Sequence, residues 1–320
     1  MHHALQALTD ELRRLKTAGV KTVSVSEESI TALRRVVAER AQRAPSVPRA
    51  TAPTADAAAV PAAAPVKAAA APKPYEPPAA RSFAAKPAAP DEAAPRLPDA
   101  PVVTLPAGDK ATRWAALHAL VMNDPTCSQN VRPGKKVVLG VGSLDARIMF
   151  VGEAPGAEEE IQGEPFVGPA GQLLTKMIQA MGQKRSDVYI GNIMNWRPQM
   201  PTVDGREQVG NRPPTEREMT YCLPYLRAQI DVVNPELLVA LGSTAAQGLL
   251  GFGSFKALGD IRGRWHEFAG KPLMVTYHPS YILRNQSNRS KRMIWEDLLK
   301  VMERATLAIS EKQRAFFLDR

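Results

Sequence analysis

One segment of the sequence cannot form a folded domain. The 58 residues from Ala44 to Pro101 contain 23 alanines and 14 prolines, which is half of the 28 prolines in the chain. Proline at this density interrupts helices, and alanine supplies too little apolar surface to offset the entropy lost when a chain becomes ordered. We therefore predict a disordered, semi-rigid linker over residues 44–108. It separates a short head, residues 1–43, from a body, residues 109–320, which is long enough for one sizeable core.

The head carries the pattern of short amphipathic helices. Leu5, Leu8, Leu12 and Leu15 recur at spacings of three and four residues, and Ser26 followed by two glutamates has the form of a second helix start. The pattern predicts a small helical hairpin. A docking module for a protein partner, or for self-association, is the alternative interpretation of the same stripe.

The composition argues against several classes of protein. The chain has no run of about 18 apolar residues, so we expect no membrane-spanning helix. Its charged N-terminus lacks the apolar core of a secretion signal, which predicts a cytoplasmic protein. Two cysteines, Cys127 and Cys222, cannot build a disulfide framework. The formal charge of +9 is compatible with a polyanionic partner such as DNA, without establishing one.

In the body, apolar strands alternate with amphipathic helices. Strands are predicted at 146–152, 187–194, 236–242 and 271–280, and helices at 170–182, 216–233, 243–251 and 293–309. This alternation predicts an α/β domain with a central, mostly parallel four-stranded sheet and helices on both faces, in three layers. In such sheets ligands bind at the carboxyl ends of the strands. Here those ends carry the segments GEAPG, NWRP, LGS and HPS, so we expect the functional site at that edge.

The segment GEAPG directly follows the first predicted strand of the body. Gly152 and Gly156 carry no side chains, so the backbone amides of this turn can approach a ligand closely. The segment is not a P-loop, since no GK[ST] follows, and it lacks the GxGxxG pattern of dinucleotide-binding folds. Taken alone, it is as consistent with an ordinary strand-to-turn connection as with a binding loop.

Several separated motifs occur in one order along the body. They are GEAPG, an acidic run, GEPFVGPAGQLL, VYIGNIMNWRP, NRPPTERE, PELLVALGSTAA and YHPSYILRN. In order and approximate spacing they closely resemble the uracil-DNA glycosylase superfamily, with the family 4 type of bacteria and archaea as the nearest branch. The resemblance covers about residues 110–305 and leaves the head and linker unexplained. It implies an enzyme of base excision repair that hydrolyses the N-glycosidic bond of deoxyuridine in DNA.

The resemblance also implies roles for individual residues. Phe166 matches the aromatic residue that stacks on a uracil flipped out of the helix. Asn192 matches the asparagine whose carboxamide pairs with the edge of uracil and rejects the reversed pattern of cytosine. His278 matches the histidine that donates to uracil O2 while negative charge develops there. The implied uracil-binding positions are Gly152, Ala154, Pro155, Gly156, Glu159, Phe166 and Asn192.

Two acidic residues stand in for groups of the family 1 branch. The family 1 aspartate that positions water corresponds to Ala154, which leaves Glu153 as the catalytic candidate for positioning water or supporting the sugar cation. The tyrosine that excludes the methyl group of thymine corresponds to Gly156. The resemblance implies that the acidic run excludes the methyl group in place of the tyrosine, with Glu159 as the best match. The alternative is that Glu159 belongs to a solvated acidic loop without this role.

DNA-binding residues are implied in the same way. The HPSYILRN segment matches the loop that enters the minor groove, with Tyr281, Ile282 or Leu283 as the wedge that fills the vacated base position. The implied DNA-binding positions are Gly242, Ser243, Pro279, Ser280, Tyr281, Leu283 and Arg284. The basic residues that follow, including Arg289 and Arg292, suit phosphates, and the amides at the LGS turn offer a further phosphate site.

The chain departs from family 4 at the iron–sulfur positions. Family 4 enzymes usually hold a [4Fe–4S] cluster on four cysteines. Here Cys127 has no CxxC partner, since Asp124 and Asn130 stand at that spacing, and Trp196 replaces the cysteine of a K-C-R-P segment. Only Cys222 stands where the fourth ligand would lie. We therefore predict that the protein has neither the cluster nor another cofactor.

The sequence thus favours a monofunctional uracil-DNA glycosylase that acts on DNA containing uracil, with residues 1–43 as a potential site for a protein partner. One alternative is a non-catalytic, DNA-binding adaptor of repair or replication. Another is a glycosylase for a different deaminated base. Retention of Phe166, Asn192 and His278 favours the enzyme, because a decaying pocket would lose these residues first.

Overall fold

The computed structural model describes residues 97–200, 208 and 210–318. The predicted head and most of the predicted linker lie outside the described residues, so those two predictions stay predictions. The described end of the linker, residues 97–108, forms neither helix nor strand. Val103 and Leu105 within it nevertheless pack against the core of the body. Val103 and Leu105, at the end of the predicted linker, therefore belong structurally with the body.

Six strands of the described residues form one mixed sheet. They are β1 (Val141–Gly142), β2 (Ile148–Gly152), β3 (Tyr189–Asn192), β4 (Leu237–Leu241), β5 (Trp265–Phe268) and β6 (Lys271–Thr276), in the order β1-β3-β2-β4-β6-β5. The four predicted strands are β2, β3, β4 and β6, and they pair in parallel. Two short strands that we did not predict, β1 and β5, pair antiparallel at the edges. The sheet is mostly parallel, as predicted, and has six strands instead of four.

Helices connect and cover these strands. They are α1 (Lys110–Met122), α2 (Pro125–Gln129), α3 (Ala157–Gln162), α4 (Pro169–Ala180), α5 (Glu216–Val233), α6 (Ser243–Leu250), α7 (Leu258–Ile261), α8 (Pro279–Arg284), α9 (Asn288–Arg304) and α10 (Glu311–Arg314). The strand predicted over 271–280 ends at Thr276, and its last residues begin α8 instead. Within the described part of the chain, no helix combines the length and the apolarity that crossing a bilayer requires.

Each face of the sheet is covered by its own set of helices. Met149 and Val151 of β2 belong to a core that α1, α5 and α6 complete. Ile148 and Phe150 of the same strand belong to a second core, completed by α4 and α9. Alternate residues of a strand point to opposite faces, so a strand covered on both sides is buried throughout. The predicted three-layer α/β/α arrangement is confirmed.

Helix α5 has the bounds that its sequence predicts. The Thr215 hydroxyl accepts from the Glu218 N–H at 3.2 Å, and the Glu218 carboxylate accepts from the Thr215 N–H at 2.7 Å. This reciprocal cap satisfies amides that the first turn leaves without partners. Asn234 ends the helix in the left-handed conformation, with φ of 51°. The two caps fix which α5 side chains face the core.

The parallel strands end side by side at one edge of the sheet. Gly152, the last residue of β2, pairs in register with Asn192, the last residue of β3. At the neighbouring position, the Gly242 N–H donates to the Thr276 carbonyl at 2.8 Å. The four turn segments of the sequence therefore meet at this edge, as the order of the strands requires.

Candidate active site

The floor of the site is made by the ends of β2 and β3. A side chain placed on Gly152 would begin 2.4 Å from the Asn192 Oδ1 and 2.4 Å from the ring of Phe166. Only glycine therefore leaves room for these three residues to meet. The Asn192 Oδ1 is buried and has no hydrogen-bond partner among the described residues. Leaving a buried acceptor unpaired costs about 1–3 kcal/mol, so this atom is placed to receive a ligand N–H.

Phe166 forms one wall and is held in an uncommon backbone conformation. Its φ is 55°, in the left-handed region that non-glycine residues seldom adopt. The turn is closed by Gly171, because a side chain there would overlap the Phe166 carbonyl oxygen at 1.8 Å. The PFVGPAG motif thus specifies a tight turn that fixes the ring. The whole Phe166 residue is only 5% exposed.

Glu159 braces this turn through its carboxylate. Its Oε1 accepts from the N–H groups of Val167 and Gly168 at 3.0 and 2.9 Å, and its Oε2 accepts from the Gly156 N–H at 3.0 Å. One side chain therefore ties the GEAPG turn to the turn that carries Phe166. Glu159 lies between these two turns. Its expected action on the thymine methyl group stays a prediction.

His278 caps the start of α8 and is fixed in one tautomer. Its Nδ1 accepts from the Ser280 backbone N–H at 3.2 Å and contacts the Ser280 hydroxyl at 2.9 Å. Because a backbone N–H can only donate, Nδ1 carries the lone pair and Nε2 carries the hydrogen of the neutral ring. Burial, with a smaller effect of the Arg284 charge, lowers the pKa of His278 to about 4. At neutral pH the ring is therefore a neutral N–H donor.

Glu153 enters the site from the turn after β2. Burial raises the pKa of its carboxyl group, and a hydrogen bond with the Thr244 side chain opposes that rise. Thr244 lies in the first turn of α6, whose start is crowded against His278. A side chain on Gly242 would begin 3.0 Å from the His278 Cβ. Glu153, Thr244 and His278 thus share the edge formed by β2, β4 and β6.

The remaining predicted pocket and DNA-binding positions lie on the same edge. They are Ala154, Pro155 and Gly156 in the turn after β2, Gly242 and Ser243 at the start of α6, and Pro279, Ser280, Tyr281, Leu283 and Arg284 in α8. Two details differ from the expectation. The HPSYILRN segment is a short helix instead of a loop, and the hydroxyl of Ser280 contacts His278.

The three candidate wedge residues have different environments in the structure. Tyr281 stacks on Tyr277, with ring centroids 4.3 Å apart and planes at 12°. Ile282 is buried in the core. Leu283 is 42% exposed. Of the three, Leu283 is the apolar side chain available to enter a groove.

The basic residues after α8 also differ from one another. Arg292 binds the carbonyl oxygens of Arg314 and Phe316 at 2.7 and 2.9 Å and pairs with Glu296. Its guanidinium group therefore holds the C-terminal segment, and a phosphate role for Arg292 stays a prediction. Arg284 is exposed next to the site.

Sequence reasoning missed a buried ion pair behind the site. Arg197 pairs with Glu160 at 2.8 Å, and both side chains are almost completely buried. Arg197 also donates to the Asn211 Oδ1 and to the Gly210 carbonyl, each at 2.7 Å. It therefore joins the segment after β3 to α3 and to the residues before α5. The arginine of NWRP and the unassigned third glutamate of the acidic run were the available clues.

Three of the positions that the resemblance assigns to cluster ligands hold Cys127, Trp196 and Cys222, and the CxxC partner position of Cys127 falls on Asp124 or on Asn130. Both cysteines are buried, and burial raises the pKa of each thiol. A [4Fe–4S] cluster is bound by thiolates, usually four, and neither the Trp196 indole nor a carboxylate replaces them. Across the described residues, no group of three or more His, Cys, Asp and Glu side chains is arranged to hold a metal ion. These residues do not fit the cluster.

Comparison with known proteins agrees with this geometry. Residues 139–299 match the family model described as the uracil DNA glycosylase superfamily. The chain is 44% identical to a type-4 uracil-DNA glycosylase of Thermotoga maritima, over 51% of this chain and 80% of that protein. It is 38% identical to the type-4 uracil-DNA glycosylase of Pyrobaculum aerophilum, over 55% of this chain and 87% of that protein. The type-5 enzyme of the same organism is 30% identical over 51% and 73%.

Proposed function

The chain belongs to the uracil-DNA glycosylase superfamily, and from that premise we propose that it is a monofunctional DNA glycosylase that hydrolyses the N-glycosidic bond of deoxyuridine in DNA. Such an enzyme extrudes the nucleotide from the helix and holds its base in a pocket. The proposed substrate is DNA containing uracil, and the proposed role is the first step of base excision repair.

The observation that carries this proposal is the buried Asn192 Oδ1, which has no partner among the described residues. Uracil presents an N–H at N3 beside a carbonyl oxygen at O4, so one carboxamide can accept from the first and donate to the second. Cytosine presents the reverse pattern, and an amide held in one orientation leaves buried groups unpaired against it. Phe166, beside Asn192, offers a face on which the base can stack.

The chemistry follows from where charge develops. When the bond between C1′ and N1 breaks, its electron pair moves onto the uracil ring and negative charge appears at O2. We assign the Nε2–H of His278 to that oxygen, because a positioned donor in a buried site stabilises charge most at the transition state. The oxygen of a water molecule forms the new bond to C1′. We assign Glu153 to hold that water and accept its proton.

A strand-cleavage assay tests the proposal. Labelled oligonucleotides containing uracil, hypoxanthine or thymine are incubated with the full-length protein, with and without alkali. A monofunctional glycosylase leaves an intact backbone at the abasic site, so we expect the uracil strand to break only after alkali. Faster cleavage of the hypoxanthine strand would indicate a different deaminated base. No cleavage of any strand would refute the enzyme and favour the DNA-binding adaptor.

Substitution of Asn192 tests whether its carboxamide recognises the base. Asn192→Ala should lose most of the uracil excision while keeping DNA affinity, because the residue acts on the extruded base. Asn123→Ala is the matched control, since Asn123 is an exposed residue at the end of α1. Excision by Asn192→Ala at the rate of the control would contradict the assigned role.

A further inference from the structure

Asp124 lies three residues before Cys127, at one of the two positions, with Asn130, where the resemblance places the second cysteine of a CxxC pair, and its carboxylate is hydrogen-bonded by protein groups. It caps α2, accepting from the Cys127 backbone N–H at 2.7 Å. Its other carboxylate oxygen accepts from the hydroxyl of Tyr221 at 2.8 Å and from the hydroxyl of Tyr225. The residue is only 8% exposed. A buried carboxylate with three donors has its charge compensated without a metal.

The two tyrosines converge on Asp124 because of their spacing in α5. Residues four apart lie on the same face of a helix, one turn above the other. Tyr221 and Tyr225 therefore present both hydroxyls to one point, and both residues are almost fully buried. Charge-assisted hydrogen bonds of this kind are stronger than those between neutral groups. Asp124 thus links α2 to α5 across about 100 residues of sequence.

Trp196 fills the neighbouring position. Its ring lies 6.0 Å from that of Tyr221, at an angle of 57°, and the residue is 1% exposed. Cys222 follows Tyr221 in α5 and belongs to the same core as Cys127 and Trp196. The segments that would supply cluster ligands are α2, the residues after β3, and α5. In this protein the same three segments meet through one carboxylate, two phenols and one indole.

We propose that Asp124, Tyr221, Tyr225 and Trp196 replace the iron–sulfur cluster as the structural connection between these segments, so that the protein folds and stays folded without iron. The donor chemistry and the packing both carry this inference. Two thiols remain where four thiolates are required. Trp196 occupies a third ligand position as a packed indole, and Asp124, three residues before Cys127, is a buried carboxylate with three hydrogen-bond donors. It rests on family membership and is independent of whether uracil is the substrate.

Metal analysis of the full-length protein tests the first half of the proposal. The protein is produced with iron and sulfide supplied and purified without oxygen. We expect substoichiometric iron, no broad absorbance near about 400 nm, and the same unfolding temperature with and without a chelator. About four irons per chain, or a fall in unfolding temperature with the chelator, would overturn the proposal.

A double-mutant cycle tests the second half. We expect Asp124→Asn to lower the unfolding temperature by about 5 °C or more, because it weakens all three hydrogen bonds that the carboxylate accepts. Tyr225→Phe should lower it by less, because it removes only one of the three donors. The double variant should lose less than the sum of the two. Asp99→Asn, at an exposed position, should match the wild type.

Additive losses in that cycle would refute the role of the network, even if no iron is found. Tyr225→Phe removes a single hydroxyl, so it keeps the test informative should Asp124→Asn fail to fold. Neither readout is catalytic. Failure of the uracil assay and failure of this proposal are therefore distinguishable.

Discussion

The ring of Phe166 lies 5.6 Å from the imidazole of His278, with the two planes tilted by 33°. The rings come from distant parts of the sequence, one from the turn before α4 and the other from the start of α8. These two helices contact each other, so the pocket depends on their packing. One ring offers an apolar face and the other an N–H donor, which are the two properties that a departing base requires.

Replacing the Phe166 ring should weaken base recognition more than folding. We expect Phe166→Ala to lower kcat/KM for uracil excision about 10- to 100-fold, since stacking of a base on an aromatic side chain contributes about 1–3 kcal/mol. Single-turnover kinetics on a uracil oligonucleotide measure this loss. Phe317→Ala is the control, because Phe317 is an exposed phenylalanine of the C-terminal segment. Equal rates for the two variants would contradict the stacking role.

Glu159 should act through Phe166, because its carboxylate binds the amides of Val167 and Gly168. We expect Glu159→Ala to lower kcat/KM about 10-fold, and the double variant with Phe166→Ala to lose little beyond Phe166→Ala alone. Amide hydrogen exchange over residues 163–172 should accelerate in Glu159→Ala. Glu158→Ala, an exposed neighbour on α3, should change neither quantity.

The same variant separates bracing from exclusion of thymine. If Glu159 only forms a wall against the methyl group, Glu159→Ala gains thymine excision while the exchange of residues 163–172 stays slow. If it braces the turn, exchange accelerates and uracil excision falls. Unchanged exchange would therefore contradict the bracing role whatever the activity of the variant.

Sequence reasoning located the parts of the site that depend on strand ends. Gly152, Asn192 and His278 follow apolar runs whose period identifies strands, and parallel strands bring their carboxyl ends to one edge. The edge strands β1 and β5 were not predicted, because they are short and half exposed and therefore lack a clear apolar pattern. Helix α8 was not predicted, because Pro279 indicated a turn, although proline also suits the first position of a helix.

Contacts between distant residues were not predictable from the sequence. The hydrogen bonds of Glu159 follow from the positive φ turn at Phe166, which no periodicity encodes. The bond between Asp124 and Tyr225 joins α2 to α5 across the core. One sequence contains no signal that pairs such residues, because their side chains meet only after the sheet has set the positions of the helices.

The carboxyl group of Glu153 should set the acid side of the pH profile. Burial raises the pKa of the Glu153 carboxyl group above the ordinary value of a glutamate. As pH falls, the carboxylate that can accept a proton from water is therefore lost at a higher pH than for an ordinary glutamate, and activity falls with it. Thr244→Val removes the hydrogen bond that opposes this rise in pKa. It should therefore move the acid limb of the pH–rate profile, where activity falls with falling pH, to higher pH. Glu153→Gln should lower kcat about 10²- to 10⁴-fold and abolish the limb. An unchanged limb in Glu153→Gln would exclude this assignment.

His278 should make the folded state less stable as pH falls below its ordinary pKa. The unfolded chain takes up a proton near pH 6.5, whereas the folded protein keeps His278 neutral down to a pKa of about 4. Between these values the unfolded state binds more protons, so the free energy of unfolding falls as pH falls, by at most about 1.4 kcal/mol per pH unit. Above pH 6.5 the contribution is constant.

The comparison with His278→Gln isolates this contribution, because other titrating groups are shared by the two proteins. Denaturant unfolding between pH 4.5 and pH 7.5 should give a steeper loss for the wild type than for the variant. Parallel curves would show that His278 titrates normally in the folded protein.

Leu283 should matter for duplex DNA and little for single strands. It is 42% exposed on α8, whereas Ile282 beside it is buried, so Leu283 is the side chain that can occupy the space left by an extruded base. Unstacking costs energy only in a duplex, and an apolar wedge offsets part of that cost. We expect Leu283→Ala to lower excision from duplex DNA about 10-fold and excision from single strands less than about 2-fold. Leu120→Ala, at a 43% exposed leucine of α1, is the matched control. An equal loss on both substrates would mean that Leu283 supports the fold of α8 instead of filling the helix.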